Sequence, residues 1–346
     1  MDFQLEIINP LNFRSWDELV LSAGDYSFFH SSAWARVLSE SYNYKPLYFV
    51  LIRKKRPAVI VPVMEVASFL TGKRGVSLPF SDYCNPIISK DIPISQVLSP
   101  IIEYGKKSRW KHLEIRDDDN LLTDTAPSSS FYVHSLKLFG NGDQIFSDFQ
   151  GSTKRNIRKA VREGVTVRIC NSPESVKAFY RLHCLTRKRH GVPPQPFYFF
   201  KKIYKHIISE NAGFVALAMH REKTVGGSVY FHFGEKAFYK YGASDRNYQH
   251  LRANNLIMWE SIKWYSENGY KSFCFGRTDL ANEGLRRFKS GWRTTERIVR
   301  YFKYDLKKDA FVSDTKSMPP SQRFIFNRMP IPISKWMGRL LYRHAG

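Results

Sequence analysis

Two stretches of the chain can be laid over one another, and this internal likeness constrains the fold more than any other feature. FVLIRKKRPAVIVPV, near residue 49, and VALAMHREKTVGGSVYF, near residue 215, share one plan. Each has an apolar strand, a four- or five-residue polar turn containing Lys and Arg, and a second apolar strand. The patterns predict strands over 47–52 and 58–63 around a turn at 53–57. In the second copy the strands are 214–219 and 225–233, around a turn at 220–224. A helix precedes each hairpin. The first is capped by Ser31 or Ser32 and carries Trp34, Val37 and Leu38; the second spans 176–189. Alternating strands and helices predict α/β or α+β packing. The repeat predicts two related halves, and 346 residues accommodate two ordinary domains.

The charge is as informative as the pattern. With 54 Lys+Arg against 31 Asp+Glu, the net charge of +23 implies acidic partners: nucleic acid, an anionic membrane face or a phosphorylated substrate. From Ser152 or Thr153 a helix is expected in which Arg155, Arg158, Lys159 and Arg162 recur at helical spacing. Ile157, Ala160 and Val161 are expected on its opposite side. Its cationic face and its unpaired N-terminal amides suit a donor phosphate, the alternative being a solvated surface helix. After Asp314 the chain carries Lys316, Arg323, Arg328, Lys335, Arg339 and Arg343 and no acid. Pro319, Pro320, Pro330 and Pro332 break the start of this tail. Ser334 then caps a helix with Trp336, Met337, Leu340 and Leu341 on one side. Such a segment lies on an anionic membrane surface or docks on the protein by the same apolar side.

Cys84, Cys170, Cys184 and Cys274 form no CxxC pair, which favours a reducing compartment over zinc or a disulfide frame. The histidines show no HExxH spacing, so no metal is expected. The start lacks the basic and apolar regions of a signal peptide, and no apolar run approaches the ~18 residues of a membrane span. The expectation is a cytoplasmic protein whose membrane contact, on the inner face, is peripheral.

The stretch from Tyr239 to Trp292 carries the strongest resemblance. It opens with Tyr239-Lys240-Tyr241-Gly242-Ala243-Ser244, runs through LRANNLIMWESIKWYSENGY and closes with FGRTDLANEGLRRFKSGW. This resembles the second acyltransferase domain of the Fem superfamily, which contains peptidoglycan-bridge aminoacyltransferases and related envelope and polysaccharide enzymes. Asn254, Trp259 and Glu260 match its helix pattern; Gly276, Arg277, Gly284, Phe288, Lys289 and Trp292 match its closing pattern. GSTKRNIRKAVREGVTV resembles the family's basic helix, FFHSSAW its opening helix and SLPFSDYCNP its substrate-side loop, so the resemblance spans about residues 28 to 304.

The resemblance implies two GNAT-like domains in tandem within an α/β (α+β) frame, with the reaction between them. Residues 1–150 would form the acceptor side, 151–310 the acyl-donor side with the catalytic motif, and 311–346 the basic tail. The chain departs from the family in three places. Leu38 stands where peptidoglycan-directed members carry a lysine shortly after the opening-helix tryptophan. No segment sustains the heptads of a coiled-coil arm. In acyl-CoA enzymes of this fold a glycine loop lets backbone amides reach the pyrophosphate. Here the run is Gln249-His250-Leu251-Arg252-Ala253-Asn254. Arg252 and Asn254 favour aminoacyl-tRNA over acyl-CoA as co-substrate, with no resident cofactor in either case.

Acyl transfer to an amine needs a neutral nucleophile, a held carbonyl and a stabilised oxyanion. Lys289 is the candidate for positive charge near that oxyanion or the donor's terminal phosphate. Arg277, read as beginning a loop after a strand, would clamp a phosphate or carboxylate, or form a strand-end salt bridge. Asp82 would orient the acceptor amine or take its proton, or serve as an Asx-turn cap. Tyr83, Tyr241, Trp34 and Trp292 are assigned to the substrate cleft. Asn254 ties a helix start or touches substrate, and Glu260 pairs with an arginine or assists the amine. Three functions follow: an aminoacyltransferase acting on a peptidoglycan-like envelope precursor, an acyl-CoA-dependent N-acyltransferase acting on an amino sugar in polysaccharide synthesis, or a catalytically silent RNA- or membrane-binding protein.

Overall fold

A computed structural model describes residues 4–117, 121–313 and 326–346. The tail positions Lys316, Pro319, Pro320 and Arg323 lie outside the described residues. The chain runs β1 (Glu6–Ile8), α1 (Trp16–Leu21), α2 (Ser32–Tyr42), β2 (Lys45–Pro46), β3 (Tyr48–Arg53), β4 (Arg56–Val61), β5 (Met64–Ser68), β6 (Gly72–Val76), β7 (Ile87–Ile88), α3 (Ile94–Lys107) and β8 (His112–Asp117). It continues through β9 (Ser129–Lys137), α4 (Gly142–Asp148), α5 (Gly151–Arg162), β10 (Thr166–Cys170), α6 (Pro173–Arg189), α7 (Phe197–Ile203), β11 (Gly213–His220), β12 (Lys223–Phe233) and β13 (Lys236–Ser244). Then come α8 (Ala253–Glu267), β14 (Ser272–Asp279), α9 (Glu283–Ser290), β15 (Thr295–Asp305), β16 (Ala310–Val312) and α10 (Ile331–Leu341). The described residues fall into two compact units, one of 4–117, 121–131, 297–313 and 341–346, the other of 132–296 and 326–340.

In the first unit one sheet has the order β15-β8-β6-β5-β2, with β16 beside β15, and a smaller sheet has the order β1-β3-β4-β7. Val97, Leu98 and Ile101 of α3 pack on Phe49, Val59, Val61, Leu113 and Ile115. Ser31 caps α2, its Oγ accepting the Trp34 amide at 3.3 Å. Trp34 is fully buried against the rings of Phe28 and Phe29. It is a core side chain, not the cleft-lining residue expected, because the Ser31 cap sets the phase of α2 and turns the indole inward.

In the second unit the order is β10-β11-β12-β13-β14-β9. Pairing is antiparallel from β10 to β13 and parallel between β13 and β14. Ile157 and Ala160 of α5 and Leu256 and Ile257 of α8 share the core with Phe214, Tyr230 and Trp292. Trp292, also assigned to substrate above, is fully buried between Phe149, Phe275 and Phe288. Val161, expected on the apolar side of α5, is 59% exposed. That helix begins at Gly151, before the expected Ser152 or Thr153, and buries Thr153 with Ile157 and Ala160 instead.

The two hairpins share more than composition. The turns are tighter than the expected four or five residues. Lys54 and Lys55 join β3 to β4, Arg221 and Glu222 join β11 to β12, and all four have positive φ. Two left-handed residues in a two-residue loop are the signature of a type I′ turn, whose twist matches that of the strands. The register then slips at the same place in both copies. Ile52 opposes Pro57 and Leu51 opposes Val59; Met219 opposes Thr224 and Ala218 opposes Gly226. A bulge at Ala58 in one copy answers a bulge at Val225 in the other.

The tail helix corrects a further expectation. Met337 and Leu341 are half-buried, but the residues of α10 that turn fully inward are Ser334 and Gly338, while Trp336 and Leu340 point outward. A Cβ at Gly338 would collide with the Pro194 carbonyl. The helix docks through its small residues, not through the whole expected apolar side.

Neither lysine of the first turn suits a left-handed backbone, which in type I′ turns falls to Asn and Gly. Lys54→Asn with Lys55→Gly should therefore stabilise the protein by roughly 1 kcal/mol. An upward shift of the urea midpoint at unchanged m-value would show it.

Candidate functional site

The strands β13 and β14 run side by side only at their starts. Lys236 pairs with Ser272, Ala237 with Phe273 and Phe238 with Cys274, and the pairing ends there although both strands continue. Gly276, at φ +69°, sits two residues past Cys274, the last residue of β14 that pairs with β13, in a conformation that glycine adopts without steric cost. Lys289, from the next helix α9, is 2% exposed and reaches this point. Its Nζ donates to the carbonyls of Gly276 at 2.7 Å and Arg277 at 3.0 Å. An ammonium taken out of water is tolerated only when its N–H groups find acceptors, and these two carbonyls supply them. The lysine assigned to catalysis is therefore a buried cation held on backbone carbonyls, and not a surface lysine.

Arg277 lies within β14 rather than in a loop after it, and its side chain is exposed. Near Lys289 lies a group of titratable side chains that sequence reasoning did not single out. His134 on β9 is completely buried, and its Nε2 lies 3.0 Å from Glu296 Oε2, although off the hydrogen-bond direction. Burial pushes the His134 pKa down, the Lys289 charge pushes it further, and Glu296 opposes both. Glu296 is gripped by Arg286 through two bonds of 2.8 and 2.7 Å, which hold its carboxyl below the usual range. The Arg286 guanidinium also lies 4.1 Å from the Tyr132 ring centroid.

Tyr241 on β13 is half-buried against the rings of His183, Phe199 and Phe200. Asn254 is exposed at the start of α8 and reaches Ser244 Oγ at 3.5 Å, so it ties the helix start to the end of β13. The run before α8 includes Arg252 in a left-handed conformation at φ +59°. Glu260 is half-buried; burial raises its pKa, with Lys263 acting the other way. The expected arginine partner is not present for it among the described residues. On α5, Arg155, Arg158 and Arg162 are exposed and Lys159 is half-exposed. Arg158 lies 5.7 Å from the Phe146 ring centroid. Near the start of this helix Thr153 Oγ1 and the Gln150 amide both donate to the Gly291 carbonyl, each at 3.0 Å.

In the first unit, Asp82 and Tyr83 are half-buried in the loop after β6. Leu78 and Phe80 both adopt positive φ there. That strained turn is held by Arg116 of β8, whose Nη1 donates to the carbonyls of Leu78 and Ser81 and to Ser81 Oγ. The Tyr301 hydroxyl donates to the Asp82 carbonyl at 2.8 Å. Tyr83 lies edge-on to Phe29 and under the guanidinium of Arg297. Arg116 was not among the sequence candidates, and a single arginine inside a strand carries no motif that would have revealed it.

Comparison with known proteins places this geometry in context. Residues 147–290 match the family described as the acetyltransferase (GNAT) domain. The lipid II:glycine glycyltransferase of Staphylococcus haemolyticus is 33% identical over 76 residues, 20% of this chain and 18% of that protein. The UDP-N-acetylmuramoylpentapeptide-lysine N(6)-alanyltransferase of Weissella viridescens is 24% identical over 160 residues, 45% and 47% of the two chains. The chain thus spans less than half the length of these curated relatives. The crystal structure of FemX superposes on 88% of this chain and 98% of its own, with a TM-score of 0.69 and 14% identity. The fold expected from the sequence, α/β with two GNAT-like domains in tandem, is borne out, and so is the resemblance to the Fem superfamily.

The packing behind Tyr241 has a consequence in solution. His183 is fully buried, with its Nε2 3.0 Å from Gln195 Oε1. Burial first, then the Arg187 charge, lowers its pKa to about 3. The folded ring stays neutral while an unfolded imidazole protonates near pH 6.5. Below that pH the unfolded chain binds the extra proton, so stability falls as pH falls, by up to about 1.4 kcal/mol per pH unit from this group. His183→Gln should flatten the pH dependence by about one proton equivalent between roughly pH 6 and 4, as read from denaturant midpoints.

Proposed function

We propose that the protein is a Fem-type aminoacyltransferase that moves an aminoacyl group from aminoacyl-tRNA onto an amine of a peptidoglycan-like cell-envelope precursor in the cytoplasm. The observation that carries this reading is the exposed row Arg155, Arg158 and Arg162 on α5. It belongs to the unit that matches the GNAT domain and holds Lys289. Spaced guanidinium groups suit successive phosphates of a nucleic acid. The relatives named above, by their names, act on lipid II and on a UDP-linked muropeptide, which supports an envelope precursor as acceptor.

In the transfer, the acceptor amine attacks the ester carbonyl carbon. A C–N bond forms, the C–O bond to the terminal ribose breaks, and the amine's proton ends on the departing ribose oxygen. Lys289 supplies positive potential for the oxyanion that develops in between. Arg277 holds a phosphate. The scheme calls for no metal and no resident cofactor. An acyl-CoA-dependent transfer to an amino sugar is the second reading, favoured by the acetyltransferase description of the matched family. Against it stand the left-handed Arg252 and the exposed Asn254, side chains placed where a pyrophosphate cradle wants bare backbone.

Filter binding with tRNA separates the two readings. The wild-type protein should bind with strong salt dependence, and replacing Arg155, Arg158 and Arg162 with alanine should reduce the log–log salt slope by about 2 to 3. Tight acetyl-CoA binding by calorimetry, without tRNA binding at low salt, would reverse the assignment. In single-turnover assays Lys289→Ala should slow transfer about a hundredfold with acceptor affinity nearly unchanged, and Lys289→Arg should recover part of the rate. Because Lys289 is buried, each variant is first checked for folding by denaturation. A folded Lys289→Ala protein with wild-type rates would leave the lysine a purely structural role and pass the charge to Arg277.

A further inference from the structure

We propose that the outer face of α10, together with the outward stripe of α6, is a docking surface for an anionic phospholipid bilayer. This inference is independent of the transfer reaction and of the donor. It starts from the way α10 is held. Small residues, Ser334 and Gly338, take the buried side of the helix, and the Pro194 carbonyl leaves no room for a larger side chain at 338. The rotation of the helix is thereby fixed, and Ile333, Trp336 and Leu340, spaced three and four apart, are left 49%, 57% and 46% exposed. A row of large apolar side chains held in water is unfavourable, and rows of this kind mark interaction surfaces.

The charge beside this row selects the partner. A groove of about 490 Å³ lies between α6 and α10, lined by Lys177, Arg181, Lys335, Arg339 and the rings of Phe197 and Trp336. No acidic side chain is among its lining residues. The Lys335 ammonium lies 5.4 Å from the Tyr180 ring centroid, so its stem follows apolar surface while its charge stays at the rim. Cations at the level of headgroup phosphates, with Trp and aliphatic side chains entering the acyl boundary, describe a surface that lies on an anionic leaflet. A nucleic acid would use the cations and could stack on Trp336, but it offers nothing to Ile333 and Leu340. That difference favours lipid.

Sedimentation of the full chain with sucrose-loaded vesicles tests this directly. Vesicles of phosphatidylcholine with phosphatidylglycerol should bring the protein down, and phosphatidylcholine alone should not. Trp336→Ala with Leu340→Ala should weaken the partition about tenfold or more. Arg181→Ala with Arg339→Ala should weaken it about fivefold per residue. Arg155→Ala with Arg158→Ala removes equal charge elsewhere and should leave partitioning within about twofold. All four exchanged groove and ridge residues are at the surface, so unchanged thermal melts are expected and confirm folding. The proposal fails if phosphatidylglycerol vesicles do not bind, if both groove variants sediment like wild type, or if only the α5 variant loses binding. Loss of tRNA retention in the groove variants, without vesicle binding, would make the groove an RNA surface.

Discussion

The second unit depends on a charge that has been taken out of water and given backbone to hold. Removing an ammonium from solvent costs several kcal/mol unless its hydrogen bonds are replaced. Lys289 replaces them with the carbonyls of Gly276 and Arg277, on the stretch of β14 beyond its last pair with β13. The bond that keeps the lysine buried therefore also ties α9 to the stretch of β14 that has parted from β13. A methionine of similar length would satisfy the packing but not the carbonyls, and an exposed lysine would leave the strand end to water. Position and charge are set by one interaction.

The first unit solves a similar problem with a different cation. Arg116 spreads its guanidinium over the Leu78 and Ser81 carbonyls, Ser81 Oγ and the Glu114 carboxylate, and it lies against the Tyr301 ring. A planar fork with several donors suits a turn whose acceptors point in several directions, whereas the compact ammonium suits two neighbouring carbonyls on one strand. In both units a buried cation holds irregular backbone at the place where sequence reasoning located function.

How much of this was legible follows from which level of structure each feature occupies. The hairpins were legible because strand alternation and a polar turn are written in residue type. Their turn lengths were not, because positive φ at Lys54, Lys55, Arg221 and Glu222 contradicts what those residue types prefer, and the strands' twist prevails over local preference. Trp34 and Trp292 carry the family pattern but sit in the cores, where large aromatic rings contribute most by burial. Their presence in a motif signalled the fold and not the cleft. Lys289 was found by the motif, while its burial was hidden, since nothing in RRFKSGW distinguishes the inward lysine from its exposed neighbours.

The tail shows the same limit in reverse. Its apolar residues suggested a choice between membrane and docking, as if one face had to serve for both. The deciding residue was Gly338, whose lack of a side chain lets α10 approach the Pro194 carbonyl. Once a helix packs through glycine and serine, its larger apolar residues are free to face outward. A helical wheel ranks residues by hydrophobicity and gives glycine almost no weight, although backbone proximity is what glycine supplies. Docking and an outward apolar ridge are thus compatible, and the ridge beside four cations follows from the contact that Gly338 permits.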